Sequence, residues 1–320
     1  YLWSQLEKND DIYLSKYSGW YSVSDEAFYA EEEISVKEDN KIATSSGSLV
    51  EWIEEESYFF RLSKWQDSLL EYYENNPDFI SPKSRKNEVI SFVKSGLKDL
   101  SISRKAFSWG IKVPNNPEHV IYVWLDALTN YISALNYPNT DDDLFKNFWP
   151  ASVHLIGKDI LRFHAVYWPA FLMAAKITLP NKVYGQGWIL SGDEKMSKSK
   201  GNILDPLDII ETYGLDPLRY YLIKEVSFGN DGNISQGRLE DCINSDLANN
   251  YGNLCQRVTA FAEKNCSSFV PDNKKFNKED LVMLNKFTDN LDAIRTEIDN
   301  QNINYYINFI VSALFEANKY

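Results

Sequence analysis

The sequence predicts an α/β protein, with a parallel sheet and crossover helices in its middle part and a helical bundle toward its end. From Ser101 onward, apolar runs typical of strands alternate with helical stretches, which is the pattern of a parallel sheet. The third of these strands leads into a loop with three lysines and two serines between Lys195 and Lys200. From Gly237 onward, apolar residues recur at helical spacing instead. These three observations divide the chain into a sheet-forming part and a helical part.

The first part of the chain is rich in aromatic and acidic clusters. Residues 19–24 alternate apolar and polar side chains, which predicts a short strand, and the polar residues 31–48 predict a loop or hairpin. Two helices are expected next, around residues 65–73 and over residues 87–95, with prolines between them.

Three strands and two helices are expected in the sheet-forming part. The strands cover residues 120–124, 153–156 and 182–190, and the helices cover residues 126–135 and 160–176. Pro169 lies inside the second helix and predicts a kink or a break there. Ligands of an open parallel sheet bind beyond the carboxyl ends of its strands. Trp124, residues 157–159 and the lysine loop all follow such ends, so we expect them to share one site.

The rest of the chain is expected to change from a mixed to a helical structure. Residues 205–235 are rich in glycine and proline and predict a compact segment with many turns. Helices are then predicted over residues 246–261, 281–299 and 305–315.

Composition narrows the class of protein. A net charge of −13 over 320 residues argues against a broad basic surface, so any RNA contact is expected to be local. We find no apolar run long enough to cross a membrane and no secretory signal at the first residues, which predicts a cytoplasmic protein. The three cysteines and three histidines lack the spacing of metal ligands, so no structural zinc is predicted.

The lysine loop is suited to a triphosphate. Lysine ammonium groups can follow phosphate oxygens, and serine hydroxyls with glycine-permitted backbone N–H groups can complete an anion-binding concavity. Most short lysine clusters are solvated basic turns, and that is the alternative here. Against it stands the string Lys-Met-Ser-Lys-Ser-Lys-Gly-Asn over residues 195–202. This string resembles the second signature of class I aminoacyl-tRNA synthetases.

Further strings extend the resemblance to the whole chain, which is similar to the methionyl-tRNA synthetase family. They are Glu-Ser-Tyr-Phe-Phe at 56–60, Leu-Ser-Ile-Ser-Arg at 100–104, Tyr-Val-Trp-Leu-Asp-Ala-Leu at 122–128, Gly-Lys-Asp-Ile at 157–160 with Phe-His at 163–164, and Asp-Leu-Ala-Asn at 246–249 with Gly-Asn-Leu at 252–254. The Phe-His pair favours methionine over the isoleucine, valine and leucine relatives, in which a tryptophan usually follows the phenylalanine.

The resemblance implies a fold and a division into four segments. The fold is the second half of a class I synthetase Rossmann-like nucleotide fold with a connective-peptide insertion, followed by an α-helical anticodon-binding bundle. The segments are the connective-peptide insertion with its return to the core (1–103), the second half of the catalytic fold ending in the lysine loop (104–202), a stem-contact segment (203–236) and an incomplete anticodon-binding domain (237–320).

Two departures from the family pattern matter. The insertion lacks the cysteine zinc knuckle that many members carry, so the chain resembles the zinc-free variants. The first signature, His-Ile-Gly-His, does not occur, and the string starting at His154 lacks its second histidine. We therefore expect half of an adenylation site, with the other half supplied by the full-length chain or by another chain, and no activity from these 320 residues alone.

The resemblance also assigns residues to the reaction of methionine with ATP. The catalytic residues it implies are Lys195, Ser197, Lys198 and Arg104, with Lys198 favoured for the phosphates and a surface ion pair as the alternative for Arg104. The ATP-binding residues it implies are Gly157, Asp159, Lys195, Met196 and Lys198.

The methionine pocket and the anticodon contact are assigned in the same way. The pocket residues implied are Trp124, Ala127, Tyr131, Asp159, Ile160 and His164, with Asp159 on the substrate ammonium and core packing as the alternative for the aromatics. Asn253 and Arg257, four residues apart on one helix, match the positions that read the anticodon, and a solvated helix face is the alternative.

The partners implied are methionine, ATP with Mg²⁺ as substrate, and tRNA(Met). Two other functions compete with this prediction. One is a synthetase for another aliphatic amino acid, which the absence of a long editing insertion disfavours. The other is a non-catalytic tRNA-binding module that kept the fold.

Overall fold

The computed structural model describes residues 1–22, 27–29, 31–37, 40–44, 46–106, 108–122, 124–192, 194–196, 203–272 and 275–320. Within it the chain forms two compact units, Tyr1–Gly185 and Gln186–Tyr320. This division falls earlier in the chain than the boundary at residue 202 predicted from the motifs. The four functional segments themselves stay a prediction.

The first unit combines strands and helices. Its helices are α1 (Leu2–Lys8), α2 (Gln66–Asn75), α3 (Lys83–Lys94), α4 (Trp124–Ser133), α5 (Asp143–Phe148) and α6 (Trp168–Ala174). Its strands are β1 (Ile12–Ser22), β2 (Ala27–Tyr29), β3 (Ile34–Lys37), β4 (Asn40–Ala43), β5 (Glu51–Phe60), β6 (Ile80–Ser81), β7 (Leu100–Ser101), β8 (Ser103–Arg104), β9 (Lys112–Val113), β10 (Asn116–Ile121), β11 (His154–Gly157) and β12 (Val183–Gln186).

A long antiparallel ribbon forms the start of this unit. β1 and β5 pair from Ile12 opposite Phe60 to Tyr21 opposite Glu51, in a sheet of order β2-β1-β5-β7. Within the short strand predicted at 19–24, residues 19–22 form the end of the longer β1, and residues 23–24 lie outside the described residues. The hairpin predicted for residues 31–48 is confirmed by the antiparallel pair of β3 and β4.

The parallel sheet differs from the prediction in its members. β12 pairs in parallel with β6, and β11 completes the order β11-β12-β6. The strand predicted at 120–124 was wrongly placed in this sheet, because β10 pairs antiparallel with β8 and β9. The strand predicted at 182–190 is two strands in separate sheets. They separate at Gly187, where a Cβ atom would lie 2.2 Å from the Asn230 carbonyl group.

The helix predicted over residues 160–176, with a kink or a break expected at Pro169, changes its type just before that proline. A π-helix covers Phe163–Tyr167, and α6 begins at Trp168. Pro169 has no N–H, so the Ala165 carbonyl lacks its α-helical donor. The hydroxyl of Tyr73 on α2 donates to that carbonyl at 2.5 Å instead. This bond ties α2 to the helix turn that carries the candidate site.

The second unit has one small sheet and a series of helices. Its strands are β13 (Ile189–Ser191), β14 (Glu194–Lys195) and β15 (Gly232–Ile234), in the order β14-β13-β15. Its helices are α7 (Pro206–Tyr213), α8 (Leu215–Glu225), α9 (Gln236–Cys242), a π-helix (Ile243–Gly252), α10 (Asn253–Cys266), α11 (Lys278–Thr288), α12 (Leu291–Asp299) and α13 (Ile303–Lys319). The helix predicted over 281–299 is thus two helices, and α13 extends beyond the predicted 305–315.

Buried polar contacts connect the helices of this unit. Lys224 on α8 forms an ion pair with Asp246 on the π-helix, and Tyr220 donates to the same carboxylate at 2.8 Å. Asn304 on α13 donates to the carbonyls of Ile223 and Lys224 at the end of α8. Hydrogen-bonded partners are what permit these polar groups to be buried. In the described part of the chain, no helix has the length and apolar content needed to cross a membrane.

Candidate functional site

Aromatic and histidine side chains form a cluster inside the first unit. Trp124 opens α4, and Tyr131 lies two turns later on the same face of that helix. The Trp124 ring stacks on Phe163 at 4.0 Å between centroids, with 15° between their planes. The Tyr131 ring meets His164 edge-on at 5.6 Å. The structure thus brings together three predicted pocket residues, Trp124, Tyr131 and His164.

The hydrogen bonds of His164 fix its tautomer. Its Nδ1 atom lies 3.0 Å from the carbonyl oxygen of Ile160, and because a carbonyl only accepts, Nδ1 carries the proton. Nε2 therefore accepts a hydrogen bond from the Tyr131 hydroxyl at 2.9 Å. Burial lowers the pKa of His164 and raises the pKa of Tyr131, so both groups are neutral at pH 7. The cluster presents an uncharged, aromatic environment.

Two further predicted pocket residues lie beside this cluster. Ile160 is half-buried and supplies the carbonyl that orients His164. Ala127 lies on α4 between Trp124 and Tyr131, and its side chain is exposed. Positions 124, 127 and 131 share one helix face, so a ligand on that face can contact all three.

An exposed carboxylate follows β11. Asp159 lies in a 3₁₀ turn, Lys158–Ile160, directly after the strand. No other described residue forms a hydrogen bond or ion pair with its side chain in the part of the chain that the structure covers. A Cβ atom at position 157 would lie 2.5 Å from Asp159 Oδ1. Gly157 therefore leaves the space that the carboxylate occupies, and the carboxylate is available to a cation.

Arg104 lies in a buried strand rather than at the surface. It is 6% exposed, and its Nη1 donates to Ser101 Oγ at 2.6 Å and to the Ser103 carbonyl at 2.8 Å. Its guanidinium also lies 5.4 Å from the Tyr122 ring centroid. The alternative of a surface ion pair is therefore wrong, and a phosphate contact by Arg104 stays a prediction.

The lysine loop begins at a hairpin of the second unit. β13 and β14 pair antiparallel, with Ser191 opposite Glu194, and Gly192 takes a φ of 63° in the turn between them. Lys195 is the last residue of β14. The other two predicted catalytic residues of the loop, Ser197 and Lys198, lie outside the described residues, so their roles stay predictions.

Apolar side chains on both sides of residues 197–202 belong to the core of the second unit. Met196 and Leu204 pack against a buried cluster made of Tyr221, Val226, Ile234, Leu239 and Cys242. The Met196 side chain is thus committed to the core. The ATP contact predicted for Met196 stays a prediction.

The predicted anticodon residues share one helix. Asn253 is the half-buried first residue of α10, and the exposed Arg257 follows one turn later. Arg257 Nη1 donates to Asn318 Oδ1 on α13 at 3.4 Å. The pair is accessible along one helix face, and its contact with RNA stays a prediction.

Sequence reasoning missed two members of the aromatic cluster. Phe163 was noticed only as part of a motif, yet it forms the stack with Trp124. His154 was set aside as an incomplete first signature, yet it is 5% exposed and its ring lies 4.2 Å from the Tyr131 ring. Burial lowers the pKa of His154 to about 4, and the nearby His164 adds to that shift. The only available signal was the polar His154 inside a predicted buried strand.

The described residues include no group of three or more His, Cys, Asp and Glu side chains able to hold a metal ion. The prediction that the chain lacks structural zinc is not tested by this observation.

Comparison with known proteins identifies the family. Residues 1–259 match the family model described as tRNA synthetases class I (M), so the chain belongs to the class I tRNA synthetases, within the methionyl-tRNA synthetase family. It is 52% identical over 319 residues to the methionine–tRNA ligase of Brucella suis, covering 100% of this chain and 62% of that protein. It is 48% identical over 321 residues to the enzyme of the same name from Mycobacterium leprae, covering 100% of this chain and 60% of that protein.

Solved structures agree with this placement. The Mycobacterium tuberculosis methionyl-tRNA synthetase in complex with methionyl-adenylate matches with a TM-score of 0.94 and 48% identity, over 99% of this chain and 62% of that one. The apo form of the same enzyme matches with a TM-score of 0.91 and 46% identity, over 99% of this chain and 62% of that one. The chain thus spans less than two thirds of the length of these relatives.

Proposed function

We propose that the chain contributes the methionine pocket and part of the ATP-binding surface of a methionine–tRNA ligase. Such an enzyme activates methionine with ATP to methionyl-adenylate and transfers it to tRNA(Met). The observation that carries the proposal is the neutral cluster of Trp124, Tyr131 and His164, in a chain about half identical to proteins named methionine–tRNA ligase. A thioether suits this environment, because sulfur makes favourable contacts with aromatic rings and needs no ionic partner.

Substrate orientation in this proposal depends on Asp159. The amino acid carries an ammonium group, and the exposed carboxylate after β11 is an acceptor for it. Gly157 supports the contact by leaving room for that carboxylate. A charged hydrogen bond at one end and an apolar pocket at the other fix the direction in which the carboxylate of methionine points.

The chemical step is an attack of that carboxylate on the α-phosphorus of ATP. A new bond forms between a carboxylate oxygen and the α-phosphorus. The bond between the α-phosphorus and the oxygen that it shares with the β-phosphorus breaks, and pyrophosphate leaves with its Mg²⁺. Lys195 and Lys198 are assigned to the charge that accumulates on the leaving group, Ser197 to a phosphate oxygen, and Arg104 to the phosphates.

The helical segment is proposed to bind tRNA. Asn253 and Arg257 offer an amide and a guanidinium one turn apart, and such groups read the edges of unpaired bases. The overall acidic charge restricts this contact to a local surface. A cytoplasmic location is part of the same proposal.

The decisive experiment is methionine-dependent ATP–pyrophosphate exchange by the complete protein that carries this sequence. We expect exchange with methionine and much weaker exchange with isoleucine, valine or leucine. The 320 residues alone serve as a second sample, which we expect to be inactive. Absence of exchange from the complete protein, with tRNA still bound, would instead support a non-catalytic tRNA-binding module.

A further inference from the structure

His154 is a buried member of the aromatic cluster and the first residue of strand β11. Its ring lies 4.2 Å from the Tyr131 ring, nearer than the ring of His164 at 5.6 Å or that of Trp168 at 6.3 Å. The centroid of the Trp149 ring lies 6.1 Å from that of the His154 ring. Within the described cluster, His154 is therefore the closest aromatic neighbour of Tyr131.

The imidazole of His154 is buried at a cost in stability. Its Nε2 atom is buried and has no hydrogen-bond partner among the described residues. A buried polar atom without a partner costs stability, which an apolar side chain at this position would avoid. Its ring presents a flat, rigid face to Tyr131, with 4.2 Å between the ring centroids.

The position of this face affects the hydrogen bond between the Tyr131 hydroxyl and His164 Nε2. Tyr131 is half-buried on α4, and its hydroxyl donates to His164 Nε2 only while its ring keeps the present orientation. If the ring turned, Nε2 would lose its donor and the hydroxyl would be free to bond elsewhere. The pocket would then present polar groups where it now presents a satisfied pair.

We propose that His154 is a positioning residue, whose imidazole face holds the Tyr131 ring so that the Tyr131 hydroxyl donates to His164. This inference rests on the proposed methionine-activating function. His154 acts through Tyr131 and takes part in no proton transfer. Its removal therefore weakens methionine binding and leaves the rate of the chemical step nearly unchanged.

Two variants of similar volume separate a flat ring from mere bulk. His154→Phe keeps an aromatic face, and His154→Leu fills the space without one. In pyrophosphate exchange by the complete protein, we expect the KM for methionine to rise about 3- to 10-fold in His154→Leu, the range of one neutral hydrogen bond. The kcat should stay within about 2-fold of the parent value, because the chemical step does not involve His154. His154→Phe should restore the parent KM.

A second background tests whether the effect passes through the Tyr131 hydroxyl. In Tyr131→Phe protein the hydrogen bond is already absent, so adding His154→Leu should raise the KM no further. An undiminished KM increase in that background would overturn the proposal, as would equal KM values for the Phe and Leu variants.

A spectroscopic signature covers the case in which His154→Leu does not fold. In ¹⁵N-histidine-labelled protein, the Nε2 shift of His164 should report a hydrogen-bonded acceptor in the parent and equally in His154→Phe. Loss of that signature in a folded His154→Phe protein would refute the ring-face mechanism. If the parent protein catalyses pyrophosphate exchange and the variants have an unchanged KM for methionine, this inference alone is overturned. If the parent protein shows no exchange, the proposed function and this inference are both overturned.

Discussion

The aromatic cluster around His164 and the surroundings of the lysine loop differ in which side chains pack against the core. In the first, rings from α4, β11 and the π-helix pack around a satisfied hydrogen bond. In the second, the two-residue strand β14 comes shortly before residues 197–202. Met196 and Leu204, which flank those residues in the sequence, both pack against the core of the second unit. In the packed cluster, Trp124 and Tyr131, which we propose to bind methionine, also pack against the core of the first unit. Beside the lysine loop, Met196 and Leu204 pack against the core, whereas the phosphate contacts are proposed for Lys195 and Lys198.

This comparison predicts that recognition and catalysis respond to different substitutions. Changes in the cluster should alter methionine affinity and protein stability together. Changes to Lys195 or Lys198 should alter the rate with little change in stability.

The largest effect is expected for Lys198→Ala. Loss of one group that stabilises developing charge commonly costs about 100- to 1,000-fold in rate, so pyrophosphate exchange should fall by that range. The KM for methionine and the melting temperature should change little. Lys200→Ala, in the same loop, is the matched control and should retain most activity. A fall of only a few-fold for Lys198→Ala would remove this lysine from the transition state.

A second effect is expected at the carboxylate after β11. Asp159→Asn should raise the KM for methionine about 10- to 100-fold, because a hydrogen bond to a charged group contributes about 1.5–3 kcal/mol. Gly157→Ala should act in the same direction, since the added Cβ would lie 2.5 Å from Asp159 Oδ1. Asp143→Asn, at an exposed carboxylate of α5, is the control. Steady-state exchange kinetics measure all three, and parent-like KM values for both changes would exclude an ammonium contact at Asp159.

The buried histidines predict a pH-dependent stability of the cluster. His154 has a pKa of about 4 in the folded protein, below its usual value of 6.5, so the unfolded chain binds the proton first as the pH falls. The free energy of unfolding should therefore drop by about 2 kcal/mol between pH 7 and pH 5 from His154 alone. His164, whose pKa is also lowered, adds to the same trend.

Urea unfolding of His154→Phe and of the parent protein at both pH values isolates this contribution. The variant should lose less stability on acidification than the parent. Equal losses in the two proteins would show that His154 is not buried in its neutral form.

A smaller effect is expected at the apolar residue before the loop. Met196→Ala should slow pyrophosphate exchange about 5-fold by displacing the lysines, since misplacement of a catalytic group lowers the rate. Met196→Leu, which keeps the volume that packs on the core, should restore it. Equal rates in the two variants would show that the side chain does not hold the loop in place.

No effect is expected from metal removal. Residues 1–103, the predicted connective insertion, contain no cysteine, so chelators should leave the melting temperature of the protein unchanged. Stoichiometric zinc in elemental analysis of the purified protein would contradict the prediction.

Local patterns in the sequence were enough to identify the family. The Lys-Met-Ser-Lys-Ser string and the Gly-Lys-Asp-Ile string with its following Phe-His pointed to methionine activation, and the family is confirmed. An irregularity near Pro169 was also predictable, because a proline removes a backbone donor whatever surrounds it. The structure then brought Trp124, Tyr131 and His164 together as expected.

Features that depend on distant partners were decided only by the tertiary structure. The apolar run at β10 suits a parallel or an antiparallel strand equally, and its pairing with β8 and β9 determined which it became. The apparent single strand at 182–190 was divided by the close approach of the Asn230 backbone to Gly187. In the sequence, His154 looked like part of an incomplete motif. Its neighbour Tyr131 lies 23 positions away in the chain, so only the packing shows that their rings meet. A sequence specifies which side chains can take part in a site, whereas the contacts between elements decide which of them do.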